Sequence, residues 1–243
     1  MNRNLRLLGI GVGIRMVGNA LYFPFLALFL LNVLHVGYVE IGLIIAAVGV
    51  LQLPFSYLGG LLTDRFGRRP LILLALAAEC VATAALAVAF YERSLWGAVA
   101  VAAAGGTVTS AGGAAFSAYI ADFAEGAERT RGFTFLRIGF NAGYSAGVTL
   151  GGILVTVVGF AGAVAIASVV LAGGTAFLGV GLEPSPRDRE LAGPGGAKAG
   201  IGAASPPTVV PSRGVRESFA LLLHDRVALE LIVAVSFAAL VAG

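Results

Sequence analysis

Three ionisable residues stand inside runs that are otherwise apolar: Arg15, Glu79 and Arg137. A charge in hydrocarbon needs a counter-ion, a carbonyl or water, so such positions mark a cavity or a pairing site. The two arginines bring the same neighbours. Arg15, Asn19 and Tyr22 recur at the offsets of Arg137, Asn141 and Tyr144. On a helix, positions i, i+4 and i+7 fall within about 60° of one another, so each triad forms a polar stripe on one face. At ~1.5 Å per residue both arginines lie roughly 8–12 Å into their runs. Two roles fit them. They can be cationic sites in a cavity, for an anionic substrate or for carboxylates of a partner domain. They can equally be packing residues tied to carbonyls or to an acid, because arginine keeps its charge when desolvated and must find such a partner. Glu79 reads as a protonated structural acid ahead of a proton carrier.

The run that carries Arg137 also holds Gly139, Gly143, Gly147, Gly151 and Gly152. Gly139 and Gly143 fall nearly opposite the polar stripe, and small residues at this spacing let membrane helices approach closely. No nucleophile–base pair or cluster of metal ligands stands in or beside these runs. Cys80 is the single cysteine, and His35 and His224 are far apart, so neither a disulfide framework nor a metal site is expected. The chain reads as a protein that is not an enzyme and needs no cofactor.

Bilayer-crossing helices are the elements that would position these residues. Hydrophobic residues make up 58% of the chain and charged residues 12%, with a mean hydropathy of +0.93. A soluble domain carries about 25% charged residues, so this chain has too few to cover a water-soluble surface. Six apolar blocks, residues 7–34, 39–63, 70–90, 95–120, 133–158 and 160–182, are each long enough to cross ~30 Å of hydrocarbon as a helix. Residues 183–216, rich in Pro and Gly, read as a flexible linker. After them comes a short amphipathic turn, then an apolar block from Val227 that stops at Gly243. Three parts are therefore expected: a six-helix transmembrane bundle over 1–182, a cytoplasmic linker over 183–216, and an amphipathic turn with an incomplete seventh span over 217–243.

The net charge of +3 and pI near 9.4 do not point to nucleic acid, because the basic residues fall in short loops between apolar blocks. Six spans return the chain to its starting side. That side holds Arg3, Arg6, Arg65, Arg68, Arg69, Arg129, Arg131, Arg187, Arg189, Lys198, Arg213, Arg216 and Arg226, whereas the opposite side holds only Arg93. Basic residues accumulate in cytoplasmic loops, so the amino terminus is expected in the cytoplasm and the protein in the plasma membrane.

Between blocks 2 and 3 the sequence reads Gly60-Leu-Leu-Thr-Asp64-Arg65-Phe-Gly67-Arg68-Arg69. This resembles the signature G-x-L-a-D-R-x-G-R-R of the major facilitator superfamily, with Thr63 where alanine is usual. It stands where that family has it, in the short cytoplasmic loop between spans 2 and 3. The resemblance implies a charge network that locks the two halves of a transporter in its outward-facing state. It also implies a role in that network for Asp122, at the end of span 4. Read as residues alone, the loop needs Gly67 for a tight turn, and Asp64 can pair with its arginines or cap a helix. The segment Gly147-Val-Thr-Leu-Gly151-Gly152 resembles the antiporter motif G-P-x-x-G-G of drug exporters, with Val148 in place of the proline; helix packing explains the same glycines. Span 4 lacks the arginine that many proton-coupled exporters of the family carry.

The expected fold is all-α: the six-helix amino-terminal half of a 12-helix major facilitator bundle, plus the start of span 7. The expected function is secondary active transport of a small solute by alternating access, in the export direction if the antiporter likeness holds. The expected partners are the lipid bilayer, a small-molecule substrate, protons and a missing carboxy-terminal half. A non-transporting sensor or chaperone of the same fold, or an inert truncated fragment, is the alternative.

Overall fold

A computed structural model of the chain describes residues 2–192, which are helical almost throughout. In chain order the helices are α1 (Arg3–Ala20), α2 (Leu26–Asn32), α3 (Tyr38–Phe66), α4 (Arg68–Tyr91), α5 (Leu95–Phe123), α6 (Gly126–Gly181) and a short α7 (Pro186–Ala192). Among the described residues, five helical stretches are long and apolar enough to cross a membrane: 3–32, α3, α4, α5 and α6.

The first stretch is not one continuous helix. Pro24 has no N–H to donate, and around it the chain makes a 3-10 turn over Phe23–Phe25 between α1 and α2. Sequence alone reads 7–34 as a single run, and the break is a difference from that reading.

The last stretch is two helices. At 56 residues α6 would be about 84 Å long as one rod, far more than a bilayer needs. Gly159 breaks it with φ 75°, a left-handed conformation that glycine adopts without strain. Packing against α1 shows that its two arms run in opposite directions. In the first arm Gly139, Gly143, Gly147 and Gly151 meet Gly9, Gly13, Val17 and Leu21, a constant offset and hence a parallel pair. In the second arm Leu178, Gly174 and Leu171 meet Gly11, Ile14 and Gly18, so the numbering runs the other way. The reversal falls between the blocks 133–158 and 160–182 read from the sequence.

Two apolar cores hold the bundle. One joins Leu5, Leu8, Leu71, Ile72, Tyr119, Ile120 and Leu178 at the arginine-rich end. The other joins Phe29, Leu30, Leu86, Phe90 and Val164 at the opposite end, where the rings of Phe29 and Phe90 stack at 3.7 Å. Residues 193–216 of the expected linker and the whole of 217–243 lie outside the described residues. The linker's first part is docked, in contrast to the flexible segment expected: α7 lies against the α3–α4 turn with Asp188 buried.

Candidate functional site

Arg15 and Glu79 meet in the interior. The Arg15 Nε donates to Glu79 Oε2 at 2.7 Å and its Nη2 donates to Oε1 at 3.2 Å, the forked geometry in which guanidinium and carboxylate bind best. Asn19 Nδ2 adds a third donor to Oε1 at 2.7 Å, and Tyr22 Oη donates to Asn19 Oδ1 at 3.3 Å. The side chains of Arg15 and Glu79 are only 12% and 4% exposed. Above the guanidinium lies the Phe116 ring, 5.6 Å from its centroid, so the charge is further shared with an aromatic face. Glu79, expected to be a structural acid, accepts the three hydrogen bonds from Arg15 and Asn19 and ties α4 to α1.

This cluster forms the polar side of a cavity of about 750 Å³. Phe23 and Pro24 of the broken turn form part of the wall, together with α2, α3, α4 and α5. Gln52, Thr83 and Thr109 add neutral polar groups, while Met16, Phe23, Leu30, Ile44, Leu86 and Phe140 make the remainder apolar. The cavity lies between the two cores.

Span 5 presents its residues differently from span 1. Tyr144 lines the cavity and its ring lies parallel to Phe140 at 6.3 Å. Arg137 and Asn141 do not line it; both are exposed, and Asn141 Nδ2 is turned back to the Arg137 carbonyl at 3.0 Å. Of the two arginines expected to face a cavity, Arg15 lines this one and Arg137 lies on an exposed face of the bundle. The glycines decide which face of span 5 turns inward. A Cβ on Gly139 or Gly143 would overlap the Gly9 or Gly13 carbonyl, and on Gly147 or Gly151 it would come within 2.6 Å of the Val17 or Leu21 carbonyl. With that row against α1, Phe140 and Tyr144 lie beside the cavity while Arg137 and Asn141 lie further round. Gly152 is not part of the seam, with ordinary contact to Phe25 at 3.7 Å.

At the other end of the bundle the α3–α4 turn assembles a charge network. Arg68 Nη1 donates to Asp64 Oδ1 and to the Thr63 carbonyl, both at 2.9 Å. Its Nε lies 3.3 Å from Asp122 Oδ2, an ion pair without hydrogen-bond alignment. Arg69 donates to the Leu182 and Gly179 carbonyls at 2.8 and 2.7 Å and so caps the end of α6. Arg65 is exposed and lies over the ring of Phe66. Gly67 has φ 95° and is buried, as the tight turn requires. Gly60 faces open space; the close approach is at Gly59, where a Cβ would overlap the Ala111 carbonyl of α5.

Sequence reading missed Asp188. Its carboxylate accepts from the backbone N–H groups of Arg68 at 2.6 Å and Arg69 at 3.1 Å, the free donors of the first turn of α4. A Cβ on Gly67 would collide with Asp188 Oδ1. The signal was present: Ser185-Pro-Arg-Asp188 is a capping box, and Ser185 N reaches Asp188 Oδ2 at 2.8 Å while Asp188 N reaches Ser185 Oγ at 3.2 Å.

The sequence profile of the major facilitator superfamily matches residues 8–243. The chain belongs to the major facilitator superfamily. Among curated relatives in this superfamily, it is 33% identical over 140 residues to the class C tetracycline resistance protein of Escherichia coli, covering 57% of this chain and 34% of that protein. It is 31% identical over 147 residues to the inner membrane transport protein YajR of Escherichia coli K12, covering 60% of this chain and 31% of that one. The chain spans about a third of the length of these relatives. Solved structures share the fold: the POT family transporter PepTSo superposes with a TM-score of 0.63 at 21% identity, over 76% of this chain and 40% of that one. The human organic anion transporter MFSD10 gives 0.63 at 22% identity, over 75% and 47%. Both the all-helical fold and the membrane-spanning transporter family expected from the signature loop are therefore established.

Proposed function

We propose that the chain supplies one bundle of a secondary active transporter, and that its cavity holds the solute during alternating access. The observation that carries this is the cavity itself: about 750 Å³ between two apolar cores, with the buried ionic cluster of span 1 on its wall. Such sites in two-bundle transporters lie near the bilayer midplane, beside broken helices, and the break at Pro24 supports that reading. Arg15, Asn19, Tyr22 and Tyr144 are the candidate solute-facing residues. Arg137 and Asn141, exposed within this bundle, face the second bundle or its portion of the pathway. Gly60, Asp64, Arg65, Gly67, Arg68, Arg69 and Asp122 form the gating loop, whose Arg68 links α3, α4 and α5 at one end. The amino terminus and this loop are cytoplasmic, in the plasma membrane, as the placement of the arginines supports. Export is the direction that the likeness to tetracycline resistance proteins supports, and protons are the proposed coupling ion.

Flux in membrane vesicles tests the proposal. Vesicles from cells expressing the protein are loaded with tetracycline or the neutral dye N-phenyl-1-naphthylamine, and a proton gradient is imposed. Gradient-dependent flux is expected, and it should be lost with an ionophore and in Gly49→Trp. Gly49 lines the cavity and a Cβ there meets nothing within 4 Å, so the indole fills solute space without a clash at its root. Flux equal to that of vesicles without the protein, or indifferent to both treatments, overturns the proposal.

A further inference from the structure

We propose that Glu79 sets the charge selectivity of the cavity: by neutralising Arg15 it makes the site one for uncharged amphipathic solutes and closes it to anions. This rests on the reading above that the cavity is the solute site.

Among the described lining residues, Arg15 brings the one guanidinium and Glu79 the one carboxyl group. They form a closed pair. Both carboxylate oxygens are occupied, one by Arg15 Nε and the other by Arg15 Nη2 and Asn19. The wall therefore carries a cation and an anion 2.7 Å apart and no net charge. The field of such a pair falls away faster than that of a single charge, so an anion elsewhere in the cavity gains little from Arg15. To gain more it must displace Glu79, leaving a carboxylate that is 3% exposed as a residue with Asn19 as its remaining donor. Leaving one member of a buried ion pair alone is strongly unfavourable. A cation approaching Glu79 meets the mirror-image obstacle in Arg15.

Apart from Asn19, the other polar groups are neutral amides and hydroxyls: Gln52, Thr83, Thr109, Tyr22 and Tyr144. Set in an otherwise aliphatic and aromatic wall, they suit a solute with an apolar body and a few hydrogen-bonding groups. Glutamine at position 79 is nearly the same shape and still offers Arg15 an oxygen, but it leaves one positive charge uncompensated. That charge, ~6 Å from a bound anion at an effective dielectric near 20, favours the anion by roughly 100-fold.

The test uses two probes that differ by one charged group, N-phenyl-1-naphthylamine and its 8-sulfonate, bound to the purified protein in lipid nanodiscs. Gly49→Trp supplies the background of lipid partitioning. The wild type is expected to bind the neutral probe at least tenfold more tightly than the sulfonate. Glu79→Gln should improve the sulfonate relative to the neutral probe by 10-fold or more. The double variant Arg15→Gln, Glu79→Gln, with both charges removed, should return to the wild-type preference. Equal cavity affinity of the wild type for both probes overturns the proposal without any variant, and so does an unchanged ratio in Glu79→Gln. If Gly49→Trp alters the binding of neither probe, the cavity is not a solute site and the underlying reading fails instead.

Discussion

Replacing Asp188 by alanine removes three charge-assisted hydrogen bonds at once, to the backbone N–H groups of Arg68, Arg69 and Ser185 at 2.6, 3.1 and 2.8 Å. Losing an aspartate cap costs about 1 kcal/mol and the helix-dipole interaction adds about 0.5 kcal/mol. Water can reach the turn once α7 leaves, which recovers part of the remaining bonds, so the net effect on docking is about 2 kcal/mol. That corresponds to roughly a 30-fold rise in the undocked population of α7. Limited trypsinolysis reads this population at Arg187 and Arg189, with Arg93 in the α4–α5 turn at the other end as internal reference. After normalisation to the unfolded chain, Asp188→Ala should speed cleavage at Arg187 and Arg189 by about 30-fold and leave Arg93 unchanged. Asp188→Asn keeps one acceptor oxygen and should give an intermediate rate. Acceleration below twofold in Asp188→Ala would refute the reasoning, because α7 would then be held by something other than its carboxylate.

Three further outcomes follow from the geometry. Gly143→Leu should lower thermal stability by about 1–3 kcal/mol through overpacking against Gly13, whereas Gly60→Ala, which faces open space, should stay within about 0.5 kcal/mol. Arg68→Ala should slow flux several-fold in vesicles while the amount of protein in the membrane, measured by immunoblot, stays nearly unchanged; Asp64→Asn should act in the same direction but less, since Asp64 is 71% exposed in its side chain. Fusing a reporter active only in the cytoplasm after Arg69 should give signal, and fusing it after Arg93 should not. Signal at Arg93 would overturn the proposed orientation.

Much of the fold was legible because hydropathy and glycine spacing act locally. Block ends at 158 and 160 bracket Gly159, where the chain reverses. The seam of Gly139, Gly143, Gly147 and Gly151 is visible as a four-residue repeat, and it is the row that meets α1. The site was legible only in part. Arg15 and Glu79 are 64 positions apart, and their pairing depends on which helices become neighbours, which local pattern does not state. Depth offered one clue: Arg15 stands 12 residues into α1 and Glu79 11 residues into α4, both measured from the arginine-rich end. The matching triads in spans 1 and 5 gave identical stripes but left open where each stripe faces. On span 5 the glycine seam fixed the rotation and turned Arg137 away from the cavity. Asp188 was obscured by the Pro-rich composition around it, although its capping box was readable.

Photoaffinity mapping tests the central claim most directly, by asking where a solute sits. A neutral phenylnaphthylamine carrying a diazirine is irradiated with the protein in membranes, and labelled positions are read by peptide mass, with and without excess unlabelled compound. The account predicts competable label on cavity residues such as Tyr22, Gln52, Thr83 and Tyr144, and only non-competable label on outward-facing Val157, Val169 and Val180. Competable label on the outward valines, with none on the cavity wall, would contradict it.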